Sequence, residues 1–177
     1  MAKLDQDNTN HVAPPPYFGF GIAGLGTGLV VQGPLLLLLV YMTDTLAIPA
    51  ALAGLAMFGP RIFDIITDPI MGIISDRTHS RWGRRRPYLL IGGIVVAISM
   101  GFLFSSPFFD SMYARLFYVM LFFIIVQTGV TIFMVPYYAM PSEMTDNNYE
   151  RTKLMSTRAF FSLSGVLIGG VLAPWIV

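Results

Sequence analysis

Arg61, Asp64 and Asp68 lie inside a long apolar stretch that runs from about Pro49 to Ser75. Carboxylates on a segment apolar enough to enter a bilayer are expensive there, and they mark ion or substrate paths. On a helix, residues three and four apart share a face, so these three side chains point the same way. An isolated charge at the bilayer centre costs at least about 2.5 kcal/mol. The face must therefore look into protein or a wet cavity. Two carboxylates four residues apart offer hard oxygen ligands to a small cation, or one of them holds a proton. The competing reading is a buried Arg61–Asp64 salt bridge that only locks helices together. Asp68 has no partner in its own segment, which favours the cation site. Pro60 and Pro69 bracket the face, and each frees a backbone carbonyl.

The same stretch ends in a second cluster: Gly72, Asp76 and Arg77, then Gly83, Arg84, Arg85 and Arg86. Glycine at 72 permits a close helix crossing. An aspartate at a helix C-terminus opposes the helix dipole and needs a cationic partner. Such a pair can form in one conformation and break in another, which makes a gating latch. The plainer reading is a positive anchor on the inner side of a membrane. A nucleic-acid patch is not expected on a membrane loop.

Composition says what must carry these residues. The 177-residue chain is 55% hydrophobic and 12% charged, with mean hydropathy +0.67. Soluble domains carry roughly 25% charged residues. The apolar residues come in blocks near the ~20 residues a span requires. The chain therefore reads as an all-α membrane protein. The absence of cysteine excludes disulfides and thiolate metal sites, and His11 and His79 do not suggest zinc. No nucleophile–base pair or HExxH-type motif suggests an enzyme, and no cofactor is implied.

Residues 1–16 read as a polar tail and 17–177 as the transmembrane domain. Spans are expected at about 17–42, 49–75, 88–104, 112–140 and 153–177. At 1.5 Å per residue the second is about 40 Å long and should tilt or protrude. The first is rich in glycine, at 19, 21, 24, 26, 28 and 33, for either tight helix packing or a glycine-lined path. If the spans alternate, Lys3, Arg77, Arg81, Arg84, Arg85, Arg86, Arg151 and Lys153 share one side, while the other has only Arg115. The positive-inside rule then puts the N-terminus in the cytoplasm of a multi-pass plasma-membrane protein. Five spans without a closing polar flank suggest part of a larger fold.

The string Gly72-x-x-x-Asp76-Arg77 with its glycine-arginine run resembles the cytoplasmic signature of the major facilitator superfamily. The longer pattern is similar to the glycoside-pentoside-hexuronide:cation symporters, the melibiose permease-like family. It comprises Asp64-x-x-x-Asp68-Pro69-x-Met71-Gly72, Asp76-Arg77-Thr78 and Arg81-Trp82-Gly83-Arg84-Arg85-Arg86-Pro87-Tyr88. Pro136-Tyr137-Tyr138, Glu150-Arg151-Thr152 and Arg158 also fit. The resemblance implies five helices of the N-terminal six-helix half of such a fold. The remainder would come from a missing C-terminal half or a partner chain. It implies coupling-ion contacts at Asp64, Asp68 and Thr131, sugar contacts at Arg158 and Tyr138, and H⁺ or Na⁺ as the coupling ion.

Two positions depart from the family's type member. Met134 stands where it has an aspartate, and the first span has no acidic residue between Tyr17 and Thr43. The expected function is cation-coupled transport of a sugar-like small molecule across the lipid bilayer by alternating access. The alternatives are a lipid or other organic solute, and a non-transporting subunit or remnant with structural ion pairs.

Overall fold

A computed structural model describes residues 14–105 and 109–172, without the side chains of 14–17 and 172. Five helices are long and apolar enough to cross a membrane, and no strand occurs among the described residues. The first, α1, joins Pro14–Thr27 and Gly33–Val40 through a π-helical turn at Gly28–Gln32 and ends in a second at Tyr41–Thr45. It is followed by α2 (Ala50–Arg77), α3 (Arg86–Leu103), α4 (Met112–Ala139) and α5 (Asn148–Leu172), with a single turn at Pro141–Met144 before α5. The tail expected at 1–16 lies outside the described residues as far as position 13, and helix already begins at Pro14. The end of the fifth expected span, 173–177, is also outside them.

Helix ends follow local chemistry. Ala47 takes φ +54, the left-handed turn that ends many helices. There Ile48 N–H closes on the Met42 carbonyl at 3.0 Å, and Pro49 starts the next helix. The start of α5 differs from expectation: it begins at Asn148 rather than near Lys153. Asn147 Oδ1 accepts the Tyr149 N–H at 2.9 Å, and Thr145 Oγ1 accepts the Asn147 N–H at 3.1 Å. Thr145 also donates to buried Glu150 at 3.0 Å. These side chains cap the orphan amides of a helix start, so a polar sequence enters the helix.

The chain forms two compact units: residues up to Pro34 with Ala139–Leu172, and Leu35–Tyr138. In the first unit α1 and α5 pack backbone to backbone. A Cβ at Gly24 would lie 2.7 Å from the Arg158 carbonyl oxygen, and one at Gly28 would collide with that of Ser162. Gly21 and Gly33 face Phe161 and Gly169 just as closely, whereas Gly19 and Gly26 face open space. Tight packing thus explains four of the six glycines.

In the second unit, Leu38, Met42, Ile48, Leu103, Val119 and Val126 belong to a buried apolar cluster. The helices α3 and α4 cross at Gly92 and Gly129, where a Cβ at Gly92 would sit 2.7 Å from the Phe133 nitrogen. Arg115 ties one end together, giving Nη1–H to the Leu46 carbonyl at 3.1 Å and Nε–H to that of Phe109 at 2.7 Å.

The Gly28→Val protein should lose about 1–3 kcal/mol through overpacking, while Gly19→Val should be near neutral. Thermal unfolding in detergent checks this; equal losses would contradict the packing assignment.

Candidate functional site

The helix α2 runs unbroken through Pro60 and Pro69, so the aspartates keep their four-residue spacing on one face. Opposite them α4 presents two polar side chains at the same spacing. Gln127 gives its Nε2–H to Asp64 Oδ2 at 2.6 Å, and Thr131 gives its hydroxyl proton to Asp68 Oδ1 at 2.9 Å. Each pair is 63 residues apart in sequence, so the two helices run parallel. One turn on, Gly72 lies opposite Val135, which continues the register.

The two carboxylates are not equivalent. Asp64 is partly buried, and its Oδ1 is a buried oxygen that accepts no hydrogen bond. Asp68 is exposed, while its partner Thr131 is buried. Arg61 is exposed, and no ion pair joins it to either aspartate among the described residues. The salt-bridge reading of this face is therefore not realised. Chemically, the arrangement places one unsatisfied carboxylate oxygen and a second, hydroxyl-supported carboxylate on one polar strip between apolar helices. Such oxygens suit a hard cation or a proton.

Gln127 was missed by sequence reasoning. Its signal was present: a glutamine and a threonine four apart in an apolar helix, matching the spacing of the two aspartates. Position 134, where the resemblance expects an aspartate, is occupied by half-buried Met134.

At the arginine-rich end, the structure selects among the candidates. Asp76, in the last turn of α2, is met by Arg85 Nη2 at 3.1 Å and more loosely by Arg84 at 3.9 Å. Arg85 also donates through Nη1 to the Pro136 carbonyl at 3.4 Å. That carbonyl belongs to the last turn of α4, where the final carbonyls of a helix lack intrahelical donors and favour a cation. The Arg85 side chain is 7% exposed, against 59% for Asp76 and 44% for Arg84. Arg77 and Arg86 are exposed and form no ion pair among the described residues.

Gly83 has φ +96 and turns the chain, with its N–H on the Ser80 carbonyl at 3.1 Å. A side chain there would be strained, so its role is in shaping the loop. The close crossing expected at Gly72 is not made there: a Cβ would lie 3.9 Å from Val135 Cγ1, an ordinary contact. The tight crossing of this unit falls at Gly92 instead, because there two glycines, 92 and 129, meet.

Tyr138 is 44% exposed at the end of α4, its ring 6.3 Å from that of buried Tyr137. Arg158 is half-buried on α5, on the face that packs against Gly24. The two residues belong to different units.

The family described as MFS/sugar transport protein matches residues 19–177. A protein of Escherichia coli named "Putative glycoside/cation symporter" is 35% identical over 159 residues, covering 89% of this chain and 34% of its own length. An uncharacterized symporter of Synechocystis is 35% identical, covering 86% of this chain and 29% of its own length. A mouse sphingosine-1-phosphate transporter is 30% identical, covering 89% and 32% respectively. The chain thus spans about a third of the length of these relatives.

Replacing Arg85 with Ala removes the donor to both Asp76 and the α4 terminus, and should cost about 1–3 kcal/mol. Arg84→Ala, at the exposed edge of the pair, should cost under about 1 kcal/mol. Thermal unfolding of the two variants separates the roles; a larger loss for Arg84→Ala would overturn the assignment.

Proposed function

The chain belongs to the MFS/sugar transport protein family, and on that premise we propose that it forms part of a cation-coupled secondary transporter for sugar-like solutes. It is a multi-pass membrane protein of five apolar helices, and its relatives are named as symporters and transporters. The observation that carries the reading is the pair of rungs between α2 and α4, with its buried, unsatisfied Asp64 oxygen. Two carboxylates on an apolar helix are costly, and a cation or proton bound there would offset that cost. Asp64, Asp68 and Thr131 would hold the coupling ion, Na⁺ or H⁺.

Arg158 and Tyr138 would each contact the solute, Tyr138 from the arginine-rich end of α4; such transporters bind the solute between repeats. The second face of that site would come from helices beyond this chain's five. The pairing of Asp76 with Arg84 and Arg85 would act as the latch, closed in one state and parted in the other. Charge asymmetry supports a cytoplasmic N-terminus in the plasma membrane. A lipid solute is the second reading, favoured by the mouse relative and by the absence of acidic residues between Tyr17 and Thr43.

The test is uptake by the full-length product of the gene, with sugars, glycosides and lysolipids as solutes and with Na⁺ or pH varied. Asp64→Asn should abolish the cation-dependent component. Uptake that survives with unchanged ion dependence would contradict the proposal.

A further inference from the structure

Gln127 is 8% exposed in α4, between Val126 and Thr128. Burying an amide costs free energy unless it is hydrogen-bonded, and a leucine or methionine would fill the same space without that cost. Its 2.6 Å bond to Asp64 is of the charge-assisted kind when that carboxyl is ionised, and is then stronger than one between neutral groups. The consequence lies in the geometry of Asp64. One oxygen, Oδ2, is tied to α4 at 2.6 Å, while Oδ1 is buried and accepts nothing. A carboxylate free to rotate would exchange its two oxygens; this one has a fixed and a presenting oxygen.

We infer that Gln127 is a positioning residue of the cation site, clamping Asp64 Oδ2 so that Oδ1 faces the coupling cation and thereby setting the affinity for it. This rests on reading Asp64 as a cation-site residue. Thr131 is a different kind of partner, because a hydroxyl donates or accepts as its neighbour requires, whereas the amide NH₂ only donates. With its Nε2–H on Oδ2, Gln127 favours the state in which that oxygen is an acceptor. In metal sites, the groups that orient a ligand commonly change affinity by about 10–100-fold when removed. A purely structural Gln127, joining α2 to α4, would change stability and leave affinity alone.

The two roles separate in a measurement that needs no solute. A cation that binds the folded protein raises its melting temperature with a concentration dependence set by its Kd. The purified full-length protein is titrated with Na⁺ and Li⁺ against choline, and with protons at fixed salt. Wild type should show a saturable rise that Asp64→Asn lacks. Gln127→Leu should need about tenfold more cation for half-saturation. Gln127→Met, flexible and of similar volume, carries the same test should Gln127→Leu not fold.

An unchanged half-saturation in Gln127→Leu and Gln127→Met, beside a wild-type rise that Asp64→Asn abolishes, overturns the inference and leaves the cation site standing. The absence of any cation-dependent rise in wild type, or its persistence in Asp64→Asn, overturns the cation site itself.

Discussion

Hydrocarbon offers no hydrogen bonds, so every polar group that enters it must find its partner within protein. The second unit is organised by that constraint. Asp64 and Asp68 sit in the middle of a largely apolar helix, and they are met by Gln127 and Thr131 on a second largely apolar helix at the same spacing. Matching two pairs fixes the register and parallel direction of α2 and α4 at once, since a shift of one residue would move both amide and hydroxyl off the carboxylates. The Gly92–Gly129 crossing lets α3 approach α4 closely, and the cluster around Met42, Leu103 and Val126 fills the rest. Polar matching sets which residues meet, and apolar packing holds them there.

The ladder is nonetheless incomplete: it leaves one buried carboxylate oxygen over. A structural network satisfies all its members, because a partly satisfied one costs more than an apolar core. Asp64 Oδ1 is the exception here. At the arginine-rich end the logic is reversed: Asp76 and the α4 terminus are two negative features, and one buried guanidinium, Arg85, serves both. One end of α2 thus carries a compact ionic lock, while its middle carries a polar site with an acceptor to spare.

Much of this was legible in sequence, for identifiable reasons. Apolar blocks of spanning length and clustered arginines located the five helices, and the four-residue spacing of Asp64 and Asp68 marked their shared face. What could not be read was partnership across helices. Arg61 looked like the natural counter-ion of Asp64 because it is close in sequence, yet an amide from α4 takes that place. Five arginines follow Gly72, and nothing in their order singles out Arg85; the turn at Gly83 does so by setting where the chain re-enters a helix. The early start of α5 depended on Thr145, Asn147 and Glu150 acting together, which composition alone reads as polar loop. Thr131 came from family resemblance rather than from its own surroundings.

Asp64 is the carboxylate proposed to bind the coupling cation. Infrared difference spectroscopy of the full-length protein in bilayers, recorded between cation-free and cation-saturated states, observes that carboxyl group directly. Cation binding there should change the carboxyl and carboxylate bands, and the change should vanish in Asp64→Asn. A difference spectrum identical in wild type and Asp64→Asn would contradict it.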